Sequence, residues 1–431
     1  MTAADVNSTI LAVWRIEQPR LITGLSRMLR DVPLAEDLTQ EALLAALEHW
    51  PRTGVPDKPG AWLMASAKRR ALDQLRRRHM LARKHEMLVR DLLQEQQTMP
   101  DPDAALDDDI GDELLRLIFT ACHPKLSREA RAALALKMIC GLTTEEIARA
   151  FLLPEPTIAQ RIVRAKRTLS ESGLAYETPR GEELSERLAS VLEVVYLIFN
   201  EGYAAARGDE WLRPQLCNDA LRMGRVLTSI ATQEAEAHGL LALMELNASR
   251  TSARTDTAGE PILLMDQNRA LWDQLQIRRG LLSLARAREL GGGGGFYALQ
   301  AAIVACHATA STPDETDWPR IVRLYTELNE LVRSPIIELN RAVAVGMAEG
   351  PAVALAMVEA LAHEPALKAY HLLPSVRGDL LQKLGRFDEA RDAFSAAAEL
   401  AGNRREQELL KRRAAEAAGS TGCDDRAGDG G

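Results

Sequence analysis

The side chains best placed to do chemistry in this chain are long cations and amides, and the chemistry they offer is non-covalent: charge and hydrogen bonds directed at a polyanion. From Pro156 to Ser170 there is no acidic residue, and Thr157, Gln160, Arg161, Arg164 and Arg167 fall on a different side from the stripe Ile158, Ile162, Ala165, Leu169. A packed stripe that holds a helix, with long donors on its free side, is what reading base edges and phosphates requires. From Lys68 to Arg90, nine Lys or Arg stand against Asp73 and Glu86 alone. Such a run is either a solvated helix face or a track for nucleic-acid phosphates. Signatures of covalent chemistry are missing: there is no H-E-x-x-H and no G-x-S-x-G, and Gly291 to Gly295 lack the Lys-Ser/Thr of a phosphate loop and read as a flexible connection. Asn200-Glu201 and Asp266-Gln267 could line a polar pocket for acid-base work, and Cys122-His123 lacks a second ligand pair at metal spacing. The expectation is a protein that is not an enzyme, with no cofactor and no metal.

Helices must position these groups. Ala and Leu dominate the 431 residues and aromatics are only 4%, a composition suited to helices and poor in strand formers. Leu11, Trp14, Leu21, Leu25 and Met28 keep helical spacing, with Pro19 expected to kink or divide the helix. Pro33 opens a second helix whose stripe runs Leu34, Leu38, Ala42, Ala45 to Trp50, leaving Asp37, Gln40 and Glu41 on its polar flank. A loop punctuated by Pro51, Gly54, Pro56, Pro59 and Gly60 leads to a third helix, marked by Trp62, Ala65, Arg69 and Leu72 and ending in Arg76-Arg77-Arg78. Between Asp91 and Asp112 eight acids occur with no Lys or Arg, and Pro100 and Pro102 lie among them, which predicts a linker. Beyond it Ser127 caps a helix carrying Ala130, Leu134 and Met138, and Gly141 sits where a glycine cap belongs. Thr143 and Glu146 spell a capping box for a helix through Ile147 to Phe151. Leu152 to Glu155 make the turn, and Pro156 suits the first turn of the next helix. Capping box, short turn and arginine face, in that order, describe a helix-turn-helix.

The segments A-E-D-L-T-Q-E-A-L (from Ala35) and A-W-L-M-A-S-A-K-R-R-A-L-D-Q-L-R-R-R (from Ala61) resemble region two of bacterial RNA polymerase sigma factors of the extracytoplasmic-function group. The segment from Gly141 to Phe151 resembles region four. The resemblance implies that Asp37, Gln40 and Glu41 contact the clamp helices of the largest subunit of core polymerase. It assigns melting and holding of the minus-ten element to Asp57, Lys58, Trp62, Lys68, Arg69, Arg70, Arg76 and Arg77. An aromatic beside arginines can stack on an extruded base while the cations follow the backbone, and packing in the core is the other role open to Trp62. The minus-thirty-five element falls to Thr157, Gln160, Arg161, Arg164, Lys166 and Arg167.

A minimal factor of this group would stop near Leu174, yet a long extension follows. Leu384 to Phe394, with Ala397, looks like a tetratricopeptide repeat, and Gly350 with Leu355 parallels Gly385 with Ala390 at an offset of 35. Pro365 ends the second helix of that earlier unit, and degenerate repeats are expected from Glu182 to Asn340. Phe199 to Tyr203, Leu263 to Asp273 and Asp317-Trp318 resemble the subgroup of these factors with long tetratricopeptide-like extensions. The expected organisation is all-α: region two at 8–80, a basic-then-acidic linker at 81–112, region four at 113–175, the repeat domain at 176–416 and a disordered tail at 417–431. The implied partners are core polymerase, promoter DNA, and a peptide or protein held on the concave face of the extension, which regulates or supports activity. A stand-alone helix-turn-helix regulator that does not act with polymerase is the alternative, and a helical enzyme or scaffold the third class. No basic-apolar leader and no run of 18 apolar residues occur, and five scattered cysteines without C-x-x-C suit a reducing compartment, so a cytoplasmic protein off the membrane is expected.

Overall fold

The computed structural model describes residues 3–29, 31–86, 110–151, 153–172, 179, 182–203, 212–257 and 260–424. Among them the regular structure is helical, apart from an isolated β-bridge between Thr255 and Pro261. None of these helices is long and apolar enough to cross a membrane. The chain forms two compact units, Met1–Val195 and Tyr196–Gly431.

In the first unit, α1 (Ala3–Leu29), α2 (Val32–Thr53) and α3 (Pro59–Glu86) pack together around Trp14, Leu21, Ile22, Leu25, Trp50 and Leu63, each at most 3% exposed. α1 runs unbroken through Pro19, against the expected kink or division. A proline in a helix interior costs about 3 kcal/mol, whereas burying each large apolar side chain contributes roughly 1.5–3 kcal/mol; the neighbours Trp14, Leu21 and Ile22 together outweigh the break. The Asp31 carboxylate accepts a hydrogen bond from the Leu34 backbone N–H at 3.0 Å to start α2, and Gly54, at φ +84°, ends it. Pro51 therefore lies in the last turn of α2 rather than in the loop, and α3 extends past Arg78 to Glu86. Residues 87–109, most of the expected linker, lie outside the described residues.

α4 (Ile110–Ala121) begins inside the span expected to be linker and buries Leu117, Ile118 and Phe119. α5 (Arg128–Met138) starts where Ser127 accepts from the Ala130 N–H, and Gly141 takes φ +74° just beyond its end. The capping box of α6 (Thr144–Phe151) is reciprocal. The Thr143 N–H donates to the Glu146 carboxylate at 2.8 Å, and the Glu146 N–H donates to the Thr143 hydroxyl at 3.1 Å. α7 (Glu155–Glu171) buries Ile158, Ile162, Ala165 and Leu169, the stripe read from spacing.

α8 (Glu182–Tyr203) opens the long extension, and its first half is bonded into the first unit. Arg187 donates to the Phe119 carbonyl at 2.9 Å and the Ser190 hydroxyl to the Cys122 carbonyl at 2.5 Å. Arg131 pairs with Glu193 at 3.2 Å, and Arg128 also bonds Glu193. The C-terminal end of α4 and the first turns of α5 are thus tied to the first helix of the long extension.

The second unit continues with α9 (Pro214–Ile230), α10 (Ala235–Ala248), α11 (Gln274–Glu289), α12 (Phe296–Thr309), α13 (Trp318–Leu331), α14 (Pro335–Ala348), α15 (Pro351–Leu361), α16 (Leu372–Lys383), α17 (Phe387–Leu400) and α18 (Arg404–Asp424). From α12 onward each helix packs against the next, the stacking of a repeat array. Gly350 (φ +109°) and Gly385 (φ +76°) make the same turn between α14 and α15 and between α16 and α17. α15 stops at Leu361, and Pro365 starts a single 3-10 turn after it. The tail differs from expectation: α18 runs to Asp424 because Leu410, Ala414 and Ala417 pack into the core formed with Phe394 and Leu381, and residues 425–431 lie outside the described ones.

Gly291–Gly295 form a fitted turn rather than a slack connection. Gly292 and Gly295 lie against Ala235 and Glu236, leaving no room for a Cβ, and the Glu236 carboxylate accepts from the Tyr297 N–H at 3.0 Å and caps α12. The two motifs at 199–203 and 263–273 converge through arginines. The Arg250 guanidinium lies 5.9 Å from the ring centres of both Tyr203 and Trp272, with Arg254 3.7 Å from Tyr203 and Arg269 5.1 Å from Trp272. Arg269 also donates to the His307 and Ala310 carbonyls, at 2.9 and 2.6 Å, satisfying the end of α12. Glu201 pairs with Arg213, and Gln267 donates to the Ile262 carbonyl, so both motif polar groups are engaged locally. Cys122, Cys140, Cys217 and Cys306 are buried, and burial pushes the Cys122 and Cys217 thiols up to about 12.

Candidate nucleic-acid and protein interfaces

α7 presents its polar residues in two directions. Thr157, Gln160, Arg161 and Arg164 line a groove of about 380 Å³ whose other wall is Lys125, Leu126, Ser127 and Ala130 at the start of α5. Thr157, Gln160 and Arg164 are exposed and Arg161 half-buried, so donors project from a helix whose opposite stripe is fixed in the core. Arg167 is exposed and pairs with Glu171 at 2.6 Å, one turn on. The groove side can reach bases, while Arg167, beyond it, suits a phosphate.

Lys166 points elsewhere. Its ammonium contacts the Glu36 carboxylate and, at 2.8 Å, that of Asp37, both on α2. Glu36 is 1% exposed, Lys166 18% and Asp37 63%. Burial, the largest single influence on Lys166, pulls its pKa down, but the two carboxylates outweigh it and raise the value above the ordinary lysine range. The neighbouring contact is also polar: the Gln18 side-chain amide, fully buried on α1, donates to the Lys137 carbonyl on α5 at 2.9 Å. Burial lowers the Lys137 pKa, and Glu36 works against that shift.

The three residues expected on the polar flank of α2 do share one side. Asp37 and Glu41 are exposed, and Gln40 is half-buried and donates to Glu36 at 3.0 Å. Glu41 reaches across to Arg70 on α3 at 3.3 Å. Sequence reasoning passed over Glu36. Its register was the available signal: Glu36 falls with Val32, Ala35 and Thr39 on the buried side of α2, and an ionised side chain at a core position needs a partner.

On the α2–α3 turn, Asp57 and Lys58 are exposed, as are Arg69 and Arg76, while Lys68 and Arg70 are half-buried. Arg70 also donates to the Ser66 hydroxyl at 2.5 Å, and Arg76 pairs with Asp73 at 3.5 Å. Trp62 combines both roles weighed for it. One side packs edge-on against the buried Trp50, 5.4 Å between ring centres, with His49 at 6.3 Å, and the ring remains half-exposed. The Arg77 side chain lies outside the described residues. Among the described residues no group of three or more His, Cys, Asp or Glu could hold a metal ion.

Residues 13–80 match Sigma-70 region 2, residues 116–169 match Sigma-70 region 4, and residues 187–288 match a family of unknown function (DUF6596). An uncharacterized protein of Rhizobium meliloti, R00370, is 41% identical over 399 residues, covering 91% of this chain and 92% of that protein. The ECF RNA polymerase sigma factor SigL of Mycobacterium tuberculosis is 29% identical over 153 residues, covering 34% of this chain and 81% of SigL. No solved structure matches.

Proposed function

We propose, for a chain that belongs to the extracytoplasmic-function group of RNA polymerase sigma factors with a long helical extension, that it binds core polymerase through α2 and directs initiation at promoters read by α3 and α7. The observation that carries this reading is the pairing of an acidic, solvent-facing flank on α2 with a donor-lined groove on α7, in one compact unit. Asp37, Gln40 and Glu41 contact the clamp helices of the largest subunit. Trp62 and the cations Lys58, Lys68, Arg69, Arg70, Arg76 and Arg77, with Asp57 at the turn, open and hold the minus-ten element. Thr157, Gln160, Arg161 and Arg164 read the minus-thirty-five element, with Arg167 and Lys166 on its phosphates. The extension supports activity: the bonds from Arg187, Ser190 and Glu193 to α4 and α5 favour this over an inhibitory role. An open groove of about 780 Å³ lined by Asn329, Arg333, Glu338 and Arg341 is where its peptide or protein ligand would sit.

The test is co-elution with core polymerase and start-site-specific transcription. Reversing Asp37 and Glu41 to Lys is expected to abolish co-elution while leaving the helical circular dichroism unchanged, since both side chains are more than half exposed. Interfacial charge pairs cost about 2–5 kcal/mol when one partner is removed, which is easily seen. Undiminished co-elution of that variant would end the polymerase assignment. Duplex binding by the wild-type chain without any polymerase association would instead favour a stand-alone regulator.

A further inference from the structure

In the second unit, the motifs at 199–203 and 263–273 and the end of α12 meet at a concentration of positive charge that the proposed function does not use. Arg250, in the turn after α10, stands 5.9 Å from the ring centres of both Tyr203 and Trp272, with Arg254 against Tyr203 and Arg269 against Trp272. Arg250 bonds the Asn247 side chain at 2.6 Å, and Arg269 bonds the His307 and Ala310 carbonyls and the Thr316 hydroxyl; neither reaches a carboxylate among the described residues. The acids of the same segments are committed elsewhere. Glu201 pairs with Arg213, Asp273 caps α11 by accepting from the Leu275 and Gln276 N–H groups, and Glu315, which acts on Arg269 from a distance, accepts from the Ser311 N–H. Burial, with Arg250 adding to it, pulls Arg254 and Arg269 below the ordinary guanidinium value. Hydrogen bonds are missing in the same place. The Nε atoms of Arg250 and Arg269, Nε1 of Trp272 and Nδ1 of His307 are enclosed and unpartnered, as is one acceptor, Oε1 of Gln267. Folded proteins pair nearly all such atoms, so orphaned donors gathered around cations that lack an acid describe a place built for an anion.

We propose that Arg250, with Arg254, Arg269 and Trp272 around it, binds a phosphate group, supplied either by a small phosphate monoester or by inorganic phosphate. Arg250 has one of its five N–H groups bonded, and a guanidinium fork takes phosphate oxygens two at a time. Charge favours phosphate over carboxylate. Two guanidiniums without an acid call for a dianion; a phosphate monoester carries a charge of about −1.5 to −2 with three acceptor oxygens, where a carboxylate has a single charge and two. Enclosure favours a small ligand over a nucleic-acid strand: Arg254, Gln267, Trp272 and His307 are each at most 9% exposed, and the half-buried Arg250 is the approach. Tyr203 is covered by Phe199 and Arg254, so recognition there is by charge and hydrogen bonds rather than by stacking on a base. A phosphate so held joins the end of α8, the turn after α10 and the 263–273 segment, and stabilises the second unit by mass action. The site lies wholly within that unit, apart from the groove at Asn329, and does not depend on the roles proposed for α2, α3 and α7.

The test is calorimetric titration and thermal unfolding of the full-length chain in phosphate-free buffer, with ionic strength held constant by chloride. Inorganic phosphate, phosphoserine and succinate are the probes. Phosphate and phosphoserine are expected to bind at one saturable site and to raise the unfolding temperature, and succinate to do neither. Tighter binding of phosphoserine identifies an esterified ligand, and tighter binding of inorganic phosphate the free ion. Arg250→Gln should weaken binding by about tenfold or more, as expected for loss of a charged hydrogen-bond donor. Arg278→Gln, exposed on α11 in the same unit, should leave binding unchanged. Arg250→Lys keeps the charge and loses the fork; it should weaken binding less than Arg250→Gln, and it carries the test if the Gln variant does not fold. Absence of saturable binding of both phosphate probes, equal binding of succinate, or undiminished binding by the folded Arg250 variants overturns the site.

Discussion

At the scale of residues, the arginines of α7 stand in two settings. Arg161 lines the groove with Gln160 and Arg164, whereas Arg167 lies outside it, paired to Glu171. Arg161→Ala is expected to change base preference within the upstream element by about 1–3 kcal/mol of discrimination. Arg167→Ala should weaken all sequences alike and lower the salt slope by about one unit. Promoter-variant binding at several salt concentrations checks both, and uniform effects from both substitutions would remove direct readout by this face. Titration offers a second residue-level handle. Burial lowers His123 and His307 from the usual 6.5 to about 4, and the His123 Nδ1 accepts from the Lys125 N–H, so both rings are neutral in the folded chain. A pKa depressed on folding gives stability that is present above 6.5 and lost as pH falls toward 4. Thermal unfolding should therefore weaken across that window, and substitution of both by Gln or Asn should flatten the profile there; an unchanged profile would show the rings to be uncoupled from stability.

At the scale of elements, local rules wrote most of what could be read in advance. The capping box, the Gly141 cap and the four-residue stripe of α7 are properties of short windows, and the helix-turn-helix follows from them. Three features were not legible. Pro19 opposed its own helix, and only the packing of Trp14, Leu21 and Ile22 decides the contest. The glycines from 291 to 295 looked slack because the neighbours that crowd Gly292 and Gly295, Ala235 and Glu236, lie far back in the chain. Lys166 reads as one more cation on a basic helix until Glu36, 130 positions away, is placed beneath it. The exposed candidates Asp37, Glu41, Asp57 and Arg164 were accessible to sequence reasoning because an outward side chain needs no distant partner to be recognised. The same contrast governs α8, whose bonds to α4 and α5 could not be foreseen. Truncation after Ser172 removes those bonds, and is expected to yield a poorly folded, transcriptionally inactive product, whereas a chain ending after Tyr203 should regain the helical signal of the first unit. Higher transcription from the Ser172 truncation would mean that the extension inhibits. Full activity with unaltered promoter choice would mean that it is dispensable.

At the scale of the whole molecule, the net charge of −8 hides the arrangement that matters. Cations are gathered on α3 and α7 and acids on the flank of α2, so a chain with an acidic balance still presents faces of both signs. Opposite charges within one unit find each other, and the acidic flank of α2 is accordingly paired with Lys166 of α7 and Arg70 of α3. The repeat array is held by a different kind of cohesion, helix on neighbouring helix around Leu339, Leu381 and Phe394, with α18 closing its end.

The buried thiols turn these packing relations into clocks. A thiol held up at about 12 is almost wholly protonated at neutral pH, and one shielded from water reacts only during the moments when its surroundings part. Cys122 lies where Ser190 and Arg187 fasten α8, and Cys217 sits under Phe199 in the other unit. The rates at which a disulfide reagent consumes these two sulfurs therefore time the breathing of each unit separately, in native solution and without any substitution.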